Sequence, residues 1–173
     1  SGPPLTVGSL YVPKGASWAG PDADPEKHQR KMRFLASLGS YLTRARRQAV
    51  RQGREFLVMG DFNIAHTRLD LTNWRANQRN PGFLPDERAW FDRMLTPRTL
   101  VDVVRRLHPD QQGPNSWWTW RGQAFVNDTG WRIDYHLASP ELASKAITSE
   151  IDRDHSYSER TSDHAAVVVY YDQ

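Results

Sequence analysis

The chain has 173 residues, 23 Lys and Arg against 20 Asp and Glu, a formal charge of +3 and a mean hydropathy of -0.72; that length suffices for one buried core, and the positive excess is too small to argue nucleic-acid binding by itself. No run approaches the ~18 apolar residues of a membrane helix, and the opening "SGPPLTVGSLYVP" lacks the charged start and apolar centre of an export signal, so a cytoplasmic protein is expected. The absence of cysteine excludes disulfides, thiol catalysis and thiolate-bound zinc, which leaves oxygen and imidazole as metal ligands.

In chain order, "LTVGSLYVP" (5–13) predicts a strand ended by Pro13, and a loop rich in Gly, Pro and Asp follows to Asp24. The spacing of Leu35, Leu38, Leu42, Ala45 and Ala49 predicts one apolar stripe on a helix from Pro25 to Gln52, with Gly53 placed to end it. The basic cluster "RARRQAVRQGR" (44–54) reads as that helix's solvated face. "FLVM" (56–59) and "HAAVVVYY" (164–171) are continuous apolar runs, the pattern of strands covered on both faces. A helix is predicted over 85–95, and further strands over 116–120, 131–138 and about 145–151. No repeat or low-complexity block interrupts this, and a mixed α/β architecture follows.

The polar residues at the strand ends are chemically selective. Asp61, Asn63, Asp134, Asp163 and His164 all fall where strands meet loops. Carboxylates from separate segments suit a hard divalent cation, an amide adds a donor without charge, and His164 next to Asp163 adds an imidazole. Each piece has a plainer reading. "GDFN" is also an Asx turn after a strand, and Asp134 is also a candidate for a buried ion pair with an arginine.

Taken together in one order, "YVPKG" (11–15), "MGDFNIAHTRLDLTN" (59–73), "NPGFLPDER" (80–88), "SWWTWR" (116–121), "GWRIDYHLAS" (130–139) and "RTSDHAAV" (160–167) resemble the exonuclease III type of AP endonuclease over essentially the whole chain. "GDFN" and "SDH" are shared with the wider superfamily of metal-dependent phosphoesterases, while "NPGF-P-ER" and "GWRIDY" are narrower and point to the DNA-repair branch. The resemblance implies a four-layer α/β sandwich of the deoxyribonuclease I-like type and a Mg2+ cofactor, with Mn2+ as the alternative. It implies that Asp61 orients or deprotonates the attacking water and that Asn63 holds that water or a phosphate oxygen. Tyr11 would donate to the phosphate or assist the leaving group; His164 would bind a phosphate oxygen with Asp134 polarising it. Asp61, Asn63 and Asp163 would form the metal side of the site. For DNA, the resemblance points to Asn77 and Asn80 near an abasic nucleotide, to Trp117 and Trp131 as the walls of a pocket for a flipped baseless sugar, and to Lys14, Arg75 and Arg79 as phosphate contacts. Trp118 and Trp120 are expected in the core.

One departure is large. The family's first half supplies a metal-binding Glu and an Asn from early strands, and nothing here matches either. The expectation is that residues 1–173 are the later portion of one domain, whose upstream portion is a separate piece of the same protein, and that this portion alone exposes an apolar sheet face. The expected partners are double-stranded DNA with abasic sites or 3′ ends and that upstream portion. An Arg-rich, Lys-poor composition suggests a GC-rich bacterium, hence a nucleoid-associated cytoplasmic enzyme. The competing classes are a sister phosphoesterase acting on inositol phosphates or sphingomyelin, and a non-catalytic DNA-binding fragment.

Overall fold

The computed structural model describes residues 2–172. β1 (Leu5–Tyr11) and β2 (Glu55–Asp61) run parallel because α1 (Pro25–Arg51) carries the chain back between them. Asp24 caps α1, accepting from the Lys27 amide at 2.9 Å, and Pro25 sits in the first turn, where a missing N–H is no loss. The apolar stripe falls as expected: Leu35, Leu42 and Ala49 are buried, with Leu38 and Ala45 packed beside them. α2 (Trp74–Asn77) is one turn in the loop after β2, and α3 (Pro85–Met94) matches the predicted helix. β3 (Val101–Asp102), α4 (Val103–Leu107), β4 (Asp134–Ala138), α5 (Pro140–Ser144), β5 (Ala146–Asp152) and β6 (Ala166–Tyr171) complete the chain.

The first sheet has the order β1-β2-β4-β3, and β5 and β6 pair as a second, two-stranded sheet. Strand parity makes β2 the central layer. Phe56 and Val58 share one face with Tyr135 and Leu137 against α1 and α3, while Leu57 and Ala138 face Ala146 and Val169 of the small sheet. Burying one such Leu or Phe contributes about 1.5–3 kcal/mol. The face of β1 in register with Leu57 is bare beyond the small sheet: Val7 is 52% exposed and Leu5 36%.

Three expectations need correction. "SWWTW" is not a strand; Trp117 makes only isolated bridges to Trp131 and His164, and the following segment folds as turns. The strand predicted over 131–138 begins only at Asp134, since the bridges at Trp131 divert the chain toward the loops. β6 begins at Ala166 and is not covered on both faces: Val167, Val168 and Val169 are half-buried, because its sheet has one other strand. Its apolar run reflects an edge with little over it.

Nor is Asp134 in an arginine pair. That arrangement belongs to Arg132, which is 1% exposed and reaches Asp70 through Nε at 2.7 Å and Asp102 through Nη1 and Nη2 at 2.9 and 2.6 Å. Arg105 adds a second cation to Asp70 at 2.5 Å. This buried network ties the loop after β2 to β3, α4 and the segment leading into β4, and leaves Asp134 to Ser116 and His164.

Candidate active site

The next-to-last position of β2 is a glycine for a steric reason. Gly60 has φ +139°, and a Cβ built there would lie 1.9 Å from the Leu10 carbonyl oxygen of β1. Beyond it, the register sets Tyr11 opposite Asp61 and Asp61 opposite Asp134, so three strands deliver three functional side chains in one row. The chain then turns at Asn63 in the left-handed region, φ +48°. Its backbone N–H donates to Asp61 Oδ1 at 2.7 Å, and its side-chain amide donates to Asp61 Oδ2 at 2.9 Å and to the Val12 carbonyl at 2.8 Å. Both amide hydrogens of Asn63 are therefore spent on holding Asp61 and the β1 exit.

His164, just before β6, donates from Nδ1 to Asp134 Oδ2 at 2.9 Å, and its Nε2 stands 3.8 Å from Asp61 Oδ2. Ser116 was not legible as a site residue. Its hydroxyl donates to the same Asp134 oxygen at 2.7 Å while accepting from the Ile133 and Asp134 amides at 3.2 Å each. The carboxylate is thus oriented by protein groups before any ligand arrives.

Burial pushes the Asp61 carboxyl up to about 6; the Asn63 amide bond opposes this and the Asp134 charge adds to it. For His164 burial works downward but loses. Its hydrogen bond to Asp134 and the charges of Asp134, Asp61 and Asp163 raise the imidazole above its ordinary value. The site holds a carboxylate poised near neutrality beside an imidazole biased toward its cation.

A cavity of about 240 Å³ opens beside these groups, lined by Tyr11, Lys14, Asp61, Asn63, Pro81, Gly82, Trp117, Trp131, Ile133, Asp163 and His164. Trp117 and Trp131 meet edge to face, 6.2 Å between centroids at 89°, and exchange two backbone hydrogen bonds of 2.9 Å. Asp163 lines the cavity, yet its Oδ2 accepts from the Trp117 indole at 2.9 Å. Among the described residues, the acid and imidazole atoms that gather within 4.8 Å of one another belong to Asp61, Asp134 and His164. Asp61 stands in that group and Asp163 does not, while Asn63 lies against it through its 2.9 Å bond to Asp61.

The other expected DNA contacts lie outside the cavity. Asn77 donates to the Asn73 carbonyl at 2.8 Å and Asn80 to Asn77 Oδ1 at 2.6 Å, which makes both loop-fixing amides here. Arg75 stacks on Trp74 at 4.5 Å, and Arg79 is exposed. Trp118 is buried at 1% as expected, but Trp120 is 44% exposed, clasped by Arg160 at 4.1 Å, and is not core. The turn-rich segment after it leaves no layer to cover that ring.

The family model described as "Endonuclease/Exonuclease/phosphatase family" matches residues 10–164. An exodeoxyribonuclease III of Haemophilus influenzae is 34% identical over 94% of this chain and 60% of its own length. A 3′ phosphatase from Neisseria, NExo, solved with a product DNA hairpin, superposes with a TM-score of 0.83 at 27% identity, over 98% of this chain and 62% of that one. An AP endonuclease from Archaeoglobus fulgidus gives a TM-score of 0.82 at 28% identity, over 96% and 61%. This chain thus spans about 60% of the length of each of these relatives. The match of residues 10–164 and these likenesses place the chain in the endonuclease/exonuclease/phosphatase family, on its exonuclease III and AP endonuclease branch, with that branch's deoxyribonuclease I-like α/β fold.

Proposed function

We propose that this chain is the later portion of a DNA-repair nuclease that hydrolyses phosphodiesters at abasic sites, cutting on their 5′ side, and at 3′ ends. One observation carries the reading: Tyr11, Asp61 and His164 at the wall of a cavity faced by two tryptophans, with Asp134 in the register row of Tyr11 and Asp61 and bonded to His164 behind it. A baseless sugar fits beside indole rings where an intact nucleotide is excluded by shape.

Asp61, ionised above about pH 6, accepts a proton from the attacking water. His164, protonated and oriented by Asp134, donates from Nε2 to a non-bridging phosphate oxygen as charge builds there. The bond from phosphorus to the 3′ oxygen breaks, and that oxygen takes up a proton, for which the Tyr11 phenol at the cavity rim is placed. Lys14, on the same rim, steers the phosphate backbone in. Two carboxylates with space for water and phosphate oxygens fit a hard cation such as Mg2+ or Mn2+. Asp61 and Asp134 would hold such an ion, which would supply charge stabilisation at phosphorus and a more acidic water.

The upstream portion belongs to the same proposal. The bare face carrying Val7 and Leu5 beside the small sheet supports its seat there, where it would also bring further carboxylates to the cation. The test is incision of a duplex carrying one tetrahydrofuran abasic analogue by the protein with its upstream portion, in Mg2+ and in EDTA. Cutting 5′ to the lesion only with Mg2+, leaving a 3′ hydroxyl, is expected. Hydrolysis of inositol phosphates without DNA incision would overturn it in favour of the sister phosphoesterases.

A further inference from the structure

Behind the cleft lies a pair of charges that the chemistry above does not use. Lys31 of α1 and Glu87 of α3 are 2% and 0% exposed, and Lys31 Nζ stands 2.7 Å from Glu87 Oε1. Such a pair gives little net stability, because apolar residues of similar volume hold a core as well or better. What it can do that they cannot is bond chosen peptide groups. Lys31 Nζ donates to the Asn63 carbonyl at 2.9 Å, and Glu87 Oε2 accepts from the Gly82 and Leu84 amides at 2.7 and 3.0 Å. The Ala65 amide then donates to the Gly82 carbonyl at 2.7 Å. The Lys31 stem also underlies Gly15, where an added Cβ would meet its Cδ at 2.8 Å.

Three wall segments of the cavity therefore rest on one ion pair: 12–15, 61–65 and 80–84. Gly82 itself approaches both halves of the site, with a built Cβ 3.1 Å from the Asn63 carbonyl oxygen and 3.2 Å from the Trp131 ring. We infer that Lys31 and Glu87 are positioning residues, a buried strut that fixes the left-handed turn at Asn63, and with it the Asp61 carboxylate, at a set distance from the tryptophan wall. The inference rests on the nuclease reading for its effect on rate, and on geometry alone for its effect on the loops.

The experiment uses the protein with its upstream portion, wild type against Lys31→Met, Glu87→Gln and the double variant Lys31→Met/Glu87→Leu. It reads the melting temperature, amide hydrogen exchange at 61–65 and 80–84, and kcat and KM on the abasic duplex. The double variant leaves the Gly82 and Leu84 amides and the Asn63 carbonyl without their partners, so it is expected to melt below the wild type, to exchange faster in those two loops than elsewhere, and to lose about 10–100-fold in kcat with KM changed less than about threefold, the pattern of a displaced reacting group. Glu87→Gln keeps an acceptor for Gly82 and Leu84, so it remains folded, and it is expected to exchange faster at 61–65 than at 80–84. Unchanged exchange in both loops, or a double variant restored in both stability and kcat, would overturn the strut. A wild-type protein that cuts no DNA defeats the nuclease reading, and the exchange comparison still decides the strut.

Discussion

Asn63 holds Asp61 at both oxygens, through its backbone N–H at 2.7 Å and its side-chain amide at 2.9 Å. The carboxylate cannot rotate without breaking one of them, so the residue two positions on acts as the clamp on the base. Asp61→Asn is expected to abolish cutting, by at least about a thousandfold in single-turnover rate, with DNA affinity retained. Asn63→Gly keeps the left-handed turn and loses only the side-chain donors, for about a hundredfold loss in kcat and little change in melting temperature. Asn63→Ala adds strain of about 1 kcal/mol, visible as a lower melting temperature than the Gly variant.

Titration of Asp61 gives a second prediction. Its folded value of about 6 lies above its unfolded value, so ionising it works against the fold. The native state loses stability from this group as pH rises from about 4 through about 6. Asp61→Asn, which never ionises, should therefore gain melting temperature relative to wild type at pH above about 6 and show no gain near pH 4. Carboxyl-carbon NMR of the metal-free protein should place the midpoint near 6, and Mg2+ should lower it.

Asp134 decides the charge of His164. Burial pulls the imidazole down, and the Asp134 hydrogen bond and charge, together with the charges of Asp61 and Asp163, more than reverse it. Asp134→Asn should drop the His164 midpoint below its wild-type value in imidazole NMR, while Ser116→Ala, which removes one donor at 2.7 Å from the same oxygen, should shift it up. An unmoved imidazole in both variants would mean that Asp134 does not set its protonation.

Acid should unfold the protein through Asp70. Desolvation opposes its ionisation, but the Arg132 and Arg105 guanidiniums hold its carboxyl down to about 2. The depressed value means that this stability is present above about pH 4 and disappears as pH falls through about 2. Asp70→Asn leaves the buried Arg132 short of a counter-charge and should remove about 3–5 kcal/mol in urea unfolding at neutral pH. Loss of less than about 1 kcal/mol would show that Asp102 suffices alone.

Gly60→Ala is expected to be the harshest single methyl in the molecule. Its Cβ would sit 1.9 Å from the Leu10 carbonyl at φ +139°, so β1 and β2 must separate beside Asp61. A loss above about 3 kcal/mol, or failure to fold, is expected by thermal unfolding.

The helices α1 and α3 and the strands β1 and β2 were legible because their causes are local, whereas the short helices α2, α4 and α5 were not. The stripe Leu35, Leu42, Ala49 and the ending Gly53 place α1 from Pro25 to Gln52, one residue beyond its observed end at Arg51. The row Tyr11, Asp61, Asp134 was visible only as residues at strand ends; the register that unites them depends on pairings across more than seventy residues. Ser116 was hidden because its neighbours "WWTW" carry a strand-like composition while acting as cavity wall and turn. Lys31 did leave a trace: it lies four residues before Leu35, on the apolar stripe itself, where a lysine has no reason to be unless it is paired.

Asp61 and Asp134 ride on the larger sheet, whereas His164 enters from the strand of the smaller one, and the His136 imidazole reaches across to the Val167 carbonyl at 3.2 Å. The candidate site therefore straddles a seam. Any guest gripped by both sides rivets the layers together, so occupancy and interlayer cohesion are two readings of a single equilibrium. A truncation of Leu57 or of the half-buried Val169, which pack in that join, would be felt first as slack between imidazole and carboxylate.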